Sequence, residues 1–148
     1  MNRSLYNSSI DIFLKQDKDA IFGNITNKYQ HSLEDLQKNS WIKQIDILKK
    51  VLGSFNSGNI YFEFSIPRMG KRVDNIIIIK DLIILLEFKI GESKYTLQGQ
   101  NQTIDYCLDL INFHEGSHNK KVIPILVATH AQEKDNNFSK VLSLEKCI

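Results

Sequence analysis

Two acidic residues and a lysine interrupt an otherwise apolar pair of segments in the middle of this chain. Asp74 lies near the start of the segment Arg72–Ile79, and Glu87 and Lys89 lie near the end of the segment Leu82–Ile90. Both segments are rich in Ile and Leu and are bounded by polar residues, which predicts β-strands. Charges that break such a pattern are expected where a protein carries out its function.

The short connection between these strands predicts how their side chains pair. A two-residue turn at Lys80-Asp81 would set Ile79 opposite Leu82, and the same register sets Asp74 opposite Glu87. Directly opposed side chains share a face of the sheet, with their Cβ atoms about 4.5 to 5.5 Å apart. A three-residue turn would shift the register and separate the two acids onto opposite faces.

Two carboxylates held this close repel each other unless a cation neutralises them. Mg²⁺ typically takes one or two carboxylates from a protein and leaves its other positions to water and phosphate oxygens. Lys89 shares the face of Glu87 because side chains alternate along a strand, and Arg72 would lie opposite Lys89. An ammonium beside a metal can orient an attacking water and stabilise developing charge. The spacing therefore predicts metal-assisted phosphate chemistry, and a solvated, charged strand end is the alternative.

Other polar residues could support such a site. Arg68, Lys71 and Arg72 surround the turn that leads into the first of these strands, where they could contact phosphates or keep an edge strand from pairing. Gln102 and Tyr106 are four residues apart and share one face of a predicted helix, unless they only mark a helix boundary.

The elements that would position these residues alternate between helical and strand patterns. Apolar residues recur at helical spacing over residues 40–52 and 104–113, and residues 122–128 predict a buried strand. A strand over residues 59–66 precedes the two strands described above. The order is helix, a meander of three antiparallel strands, helix and strand, which is an α/β fold.

Three parts follow from this pattern. Residues 1–39 predict a helical N-terminal extension, in which Asp17 caps one helical piece and Ser32 begins a capping box. Residues 40–130 form the core, and residues 131–148 predict the start of a further helix or a linker.

The composition is that of one soluble domain. Of 148 residues, 42% are hydrophobic and 24% charged, which excludes a disordered or repeat protein. A net charge of +2 neither supports nor excludes nucleic acid as a partner. Cys107 and Cys147 suit neither a disulfide framework nor a zinc site, so we expect a cytoplasmic protein. No apolar run approaches the length of a membrane span, so we expect no membrane partner.

The residues described above resemble the signature of a nuclease superfamily. Asp74, followed after twelve residues by the motif Glu87-Phe88-Lys89, resembles the D and E-x-K signature of the PD-(D/E)xK superfamily. The segment from Gln102 to Tyr106 resembles the Q-x-x-x-Y motif of its RecB-like and lambda-exonuclease-like members. The stretch Ser65–Asp74 is similar to the nuclease module at the N-terminus of bacterial proteins that continue into a Schlafen-like P-loop DNA/RNA helicase.

The resemblance implies a restriction-endonuclease-like core that hydrolyses phosphodiester bonds of DNA or RNA, with DNA favoured, and that uses Mg²⁺ or Mn²⁺. Asp74, Glu87 and the backbone carbonyl of Phe88 would bind the metal, and Lys89 would position the nucleophilic water. Gln102 and Tyr106 would support Lys89 or the substrate, and Arg68, Lys71 and Arg72 would contact nucleic acid. A P-loop helicase, C-terminal or separate, would be its partner. The alternative is a catalytically inactive nucleic-acid-binding module of the same fold that serves a helicase.

The sequence departs from the superfamily pattern in two places. Val73 replaces the proline that names the superfamily, which is a common variation. Many members add an acid from the first helix to the metal site, but Gln44 stands where that acid is expected, and Glu34 and Asp46 read as solvated helix charges.

A second metal-site pattern is present but poorly placed. His114-Glu115-Gly-Ser-His118 matches the H-E-x-x-H pattern of zinc peptidases. Gly116 and its neighbours make a poor helix centre, so we interpret this match as coincidental.

Overall fold

A computed structural model describes residues 3–132 of the chain. In chain order its elements are β1 (Tyr6–Ser9), α1 (Ile10–Lys15), α2 (Lys18–Lys28), α3 (Asp35–Val51), β2 (Asn59–Ser65), β3 (Arg72–Ile79), β4 (Leu82–Lys89), α4 (Leu97–Phe113) and β5 (Lys121–Ala128). The strands form one mixed sheet in the order β1-β2-β3-β4-β5, in which neighbours are antiparallel except for the parallel pair β4 and β5. The described residues therefore form an α/β fold, with four α-helices and a five-stranded sheet.

The β3–β4 hairpin has the predicted register. Ile79 pairs with Leu82, and the ladder runs without a slip to the pair Asn75–Leu86. Lys80 adopts a left-handed φ of 55°, which lets the two-residue turn close. The ladder ends there, so the predicted pairing of Arg72 with the end of β4 does not form. Arg72 pairs with Ser65 of β2, as the rest of β3 does with that strand, while β3 and β4 separate beyond Asn75.

Both faces of the central strands are covered, which explains why β3 and β4 are apolar almost throughout. Residues of α1, α2 and α3, among them Phe13 and Trp41, pack on one face in a core that includes Phe62 of β2. Cys107 and Leu110 of α4 pack on the other face. Helix α4 also provides the crossover connection that the parallel strands β4 and β5 require.

The N-terminal segment was predicted correctly in its helices and wrongly in its first element. Asp17 caps α2 by accepting a hydrogen bond from a backbone N–H, as predicted. Tyr6–Ser9 form an edge strand on β2, although no strand was predicted before residue 40. The Ser32 capping box does not form, because α3 begins at Asp35 with Glu34 as a cap that makes no side-chain hydrogen bond.

Two further predictions concern the ends of the chain and the membrane. The start of a further helix or a linker was predicted for residues 131–148, and from residue 133 onward this segment lies outside the described residues. Within residues 3–132, every helix is too short or too polar to cross a membrane.

Candidate active site

Asp74 and Glu87 are joined to each other's strands at the point where β3 and β4 separate. The backbone N–H of Asp74 donates to Glu87 Oε1 at 3.0 Å, and the backbone N–H of Phe88 donates to Asp74 Oδ2 at 2.8 Å. Just beyond the last ladder pair, Asn75–Leu86, each carboxylate thus accepts a hydrogen bond from a backbone N–H of the facing strand, as a backbone carbonyl would. The two acids that sequence analysis paired are therefore brought together.

The surroundings of this pair favour its protonated forms. Burial is the main cause that raises the pKa of Asp74 to about 7, and the charge of Glu63 adds to the shift. Burial also raises the pKa of Glu87 to about 8, and repulsion by Asp74 is the second cause. The hydrogen bonds from the backbone and the charge of Lys89 oppose these shifts. The pair therefore holds protons near neutral pH unless a cation takes their place.

The donor set fits a small divalent cation. Within residues 3–132, the second oxygen of each carboxylate, Asp74 Oδ1 and Glu87 Oε2, accepts no hydrogen bond. The N–H and C=O of a strand residue point towards the same neighbouring strand, so the carbonyl of Phe88 faces the side of Asp74. Hard oxygen ligands of this kind suit Mg²⁺ or Mn²⁺. No group of three or more His, Cys, Asp and Glu side chains that could hold a metal occurs in the described part of the chain.

A chain of hydrogen bonds fixes the lysine beside the acids. Lys89 Nζ donates to Gln102 Oε1 at 2.9 Å, and Gln102 Nε2 donates to Tyr106 Oη at 2.9 Å. Because an ammonium can only donate, the amide of Gln102 has one possible orientation. The two helix residues therefore hold Lys89 in place from the face that α4 covers.

Glu63 is a third carboxylate of the site that sequence analysis did not identify. It lies in β2 between the pairs Phe62–Asn75 and Phe64–Val73, at the register position opposite Asp74. It is 9% exposed, and Trp41 Nε1 donates to its Oε1 at 3.0 Å. Burial raises its pKa, against the opposing effects of the Trp41 hydrogen bond and the charge of Arg72. A charge inside the aromatic segment of β2 is the signal that could have identified it.

The backbone is irregular at Glu63. Its φ of 52° lies in the left-handed region, which is costly for a non-glycine residue. Phe62 packs with the core under α3, whereas Phe64 packs with the core under α4, although alternate strand residues normally share a face. The strand therefore rotates at Glu63, and this rotation turns its carboxylate towards Trp41.

The three basic residues predicted to form one phosphate-contacting rim lie in different surroundings. Lys71 Nζ lies 3.5 Å from Asp109 Oδ2 and 5.6 Å from the centre of the Tyr106 ring, so it packs against α4. Arg72 lies near Glu63 in a cleft that Lys71 also lines. Arg68 lines a groove at the C-terminal end of α4. Of these three residues, Lys71 is therefore the one that contacts Tyr106 of the Gln102–Tyr106 pair.

Helix α3, the first helix of the predicted core, contributes a buried amide and no buried acid. Gln44 of α3 is fully buried, and its Nε2 donates to Ser40 Oγ at 3.0 Å. Its Oε1 has no hydrogen-bond partner among the described residues. Glu34 and Asp46 are exposed, as predicted for solvated helix charges.

The H-E-x-x-H match does not form the helix turn that a zinc peptidase needs. His114 ends α4, and Glu115–Ser117 form one short 3₁₀ turn. The two histidines are therefore not on consecutive turns of one helix, in agreement with the interpretation that the match is coincidental.

Comparisons of the chain with models of protein families, with curated proteins and with solved structures find no match. The site consists of the half-buried Asp74 paired with the buried Glu87, a lysine fixed by a helix, and a third acid held by an indole.

Proposed function

We propose that this chain is a metal-dependent nuclease with a restriction-endonuclease-like core, which hydrolyses phosphodiester bonds of DNA in preference to RNA. The observation that carries the proposal is the reciprocal attachment of Asp74 and Glu87 beside a fixed Lys89. A half-buried and a buried acid held together beside an ammonium are a costly arrangement that a purely structural hairpin end does not need. It suits a site where a cation and a phosphate meet.

Asp74 and Glu87, with the carbonyl of Phe88, would hold Mg²⁺ or Mn²⁺, which supplies a Lewis acid and lowers the pKa of bound water. The proton-rich state of the pair supports this role, because a cation can replace the protons and remove the repulsion. The remaining positions of the metal would be open to water and phosphate.

Lys89 would orient the attacking water and offset negative charge in the transition state. Its bond to Gln102 uses one of its three N–H groups and leaves the others for water or phosphate. Gln102 and Tyr106 would act by positioning this ammonium, since even a misplacement of about 1 Å can cost on the order of a hundredfold in rate.

The surroundings of the site support an anionic substrate. Lys71 lines a groove along α4 and, together with Arg72, the cleft beside Glu63. From the resemblance described above, we infer that the chain serves as the nuclease module of a Schlafen-like nuclease-helicase.

Cleavage and binding of labelled DNA and RNA test the proposal. The wild-type chain should cleave in Mn²⁺ or Mg²⁺ and stop in EDTA. Asp74→Asn and Glu87→Gln should abolish cleavage while retaining nucleic-acid binding. Asp46→Asn is the matched control, because it removes an exposed carboxylate of α3.

Binding of nucleic acid by the wild-type chain without any metal-dependent cleavage would contradict the proposal and favour the inactive binding module. Equal activity of Asp74→Asn and Asp46→Asn would contradict the assignment of the site.

A further inference from the structure

A hollow of about 310 Å³ lies on the face of the sheet that α4 covers, close to the C-terminal end of that helix. Its apolar lining consists of Tyr61, Phe64, Ile76, Ile78, Ile83 and Leu110. The size is at the lower limit of small-molecule sites, and apolar walls with a few polar groups are typical of such sites.

One wall of the hollow is aromatic. The rings of Tyr61 and Phe64 are 5.9 Å apart and inclined at 82°, and Phe64 makes a similar contact with His114 at 5.7 Å. His114 is held by a hydrogen bond of 3.0 Å between its Nδ1 and Ser117 Oγ. A flat, apolar ligand could therefore contact ring surfaces on one side and isoleucine side chains on the other.

A basic groove continues from the hollow. Arg3 and His114 line both spaces, and Arg68 and His118 line the groove together with the acid Glu115. Within residues 3–132 neither arginine makes an ion pair. Exposed guanidinium groups without a carboxylate partner are suited to phosphate.

The backbone of both arginines lies close to the end of β2. The carbonyl of Arg3 accepts a hydrogen bond from the N–H of Ser65 at 2.7 Å, which joins the N-terminal segment to the end of β2. Arg68 has a left-handed φ of 66° in the turn between β2 and β3. Arg3 and Arg68 thus leave the chain close to the end of β2, and both line the groove.

Helix α4 connects this region to the carboxylate pair. Gln102 contacts Lys89, Tyr106 and Asp109 contact Lys71 one to two turns later, and Asn112 lines the basic groove. At 1.5 Å per residue, Gln102 and Asn112 are about 15 Å apart along the helix. Cationic groups thus follow α4 from the site to the hollow, over a length of a few nucleotides.

We propose that the hollow and the basic groove anchor a single-stranded segment of the nucleic-acid substrate, with one unpaired base in the hollow and adjacent phosphates on Arg3 and Arg68. A base that is stacked in a duplex cannot enter a space between side chains, so the anchor selects single strands. The inference rests on the proposed function, because it takes nucleic acid as the substrate.

Binding measured in EDTA tests the anchor without any contribution from cleavage. Fluorescence anisotropy of a labelled DNA strand, its duplex and free dTMP as competitor would be recorded over a range of salt concentrations. Arg3→Gln and Arg68→Gln should each lower the salt dependence of single-strand binding by about 0.7 in the log–log slope. Tyr61→Leu should weaken single-strand binding roughly fivefold or more, whereas Tyr61→Phe should retain it.

Lys15→Gln is the control for the arginine variants, because Lys15 is an exposed cation of α1 that forms an ion pair with Asp11. It should leave the salt slope unchanged. Thermal unfolding would check that each variant is folded. If Tyr61→Leu does not fold, photo-crosslinking of a thiothymidine-containing strand to the wild-type chain should label the peptide that contains Tyr61.

The outcomes separate this inference from the proposed function. Metal-dependent cleavage by the wild-type chain, together with unchanged single-strand binding by the arginine and tyrosine variants, would refute the anchor and leave the nuclease proposal intact. Competition by dTMP as strong as that by the strand would also refute it, because the hollow would then be a mononucleotide site. A wild-type chain that neither binds nor cleaves nucleic acid would overturn both.

Discussion

The stability of the metal-free protein should fall as the pH rises, because of the carboxylate pair. The folded-state pKa values of Asp74 and Glu87 are raised to about 7 and about 8, whereas the same groups titrate near 4 in the unfolded chain. The folded state therefore binds their protons more tightly. Their stabilising contribution is complete below about pH 4 and is lost as the pH rises through 7 and 8.

The size of this effect follows from the shifts. One pKa unit corresponds to about 1.4 kcal/mol, so the Asp74 shift alone removes about 3 kcal/mol between roughly pH 5 and pH 8. For a chain of this length, that loss corresponds to a decrease in Tm on the order of 10 °C. Asp74→Asn cannot titrate at this position and should lose the Asp74 share of the pH dependence, although Glu87, whose pKa burial raises, still titrates. The control Asp46→Asn should retain the full dependence.

The assay is thermal unfolding in EDTA at several pH values, followed by circular dichroism. The comparison of variants isolates the pair, since other groups titrate in both proteins. Mn²⁺ should then raise the Tm more at the higher pH, because the cation competes with protons for the same oxygens. An Asp74→Asn variant whose Tm changes with pH as steeply as that of the wild-type chain would refute the reasoning.

Four further predictions concern individual residues. Lys89→Arg should lower turnover on the order of a hundredfold with nearly unchanged DNA affinity, because a planar guanidinium cannot hold a water as the ammonium does; near-normal turnover in a cleavage assay would contradict this. Gln102→Leu should lower kcat about tenfold or more and leave the Kd for DNA unchanged, since it releases the lysine. Glu63→Gln should shift the pH midpoint of Mn²⁺ binding, measured by calorimetry, to lower values, because the Glu63 charge raises the pKa of both acids of the pair. Gly58→Ala should lower the free energy of unfolding, measured by denaturant titration, by about 3 kcal/mol or more, because the φ of Gly58 is 125° and a Cβ would lie 2.5 Å from the carbonyl oxygen of Ile78. Gly53→Ala is the control: a Cβ at Gly53 would meet no atom within 4 Å, so the free energy of unfolding should change little.

The hairpin that carries the carboxylate pair could be predicted from the sequence because its information is local. Two apolar segments joined by two polar residues favour a two-residue turn, and that turn sets the register that places Asp74 opposite Glu87. The same holds for Gln102 and Tyr106, whose spacing fixes their common helix face once α4 forms. Interactions between residues close in sequence thus determined the positions of most site residues.

Only the tertiary structure decided the environment of those residues. The pKa values of the pair depend on how deeply α4 and the sheet bury it, and burial is a property of the whole fold. Glu63 belongs to the site because β2 rotates at that residue and Trp41, 22 residues earlier, donates a hydrogen bond to it. Tyr6–Ser9 form a strand because β2 offers a free edge, although those four residues carry no strand pattern of their own.

The distribution of the basic residues illustrates the same limit. Arg68, Lys71 and Arg72 are close in sequence, yet Arg68 lies in the basic groove. Lys71 reaches Tyr106 and shares the cleft beside Glu63 with Arg72. A turn with left-handed residues directs consecutive side chains in different directions, and the elements packed around it decide what each side chain meets. Sequence patterns report spacing along the chain, whereas the partners of a side chain depend on contacts between distant segments, which spacing alone does not determine.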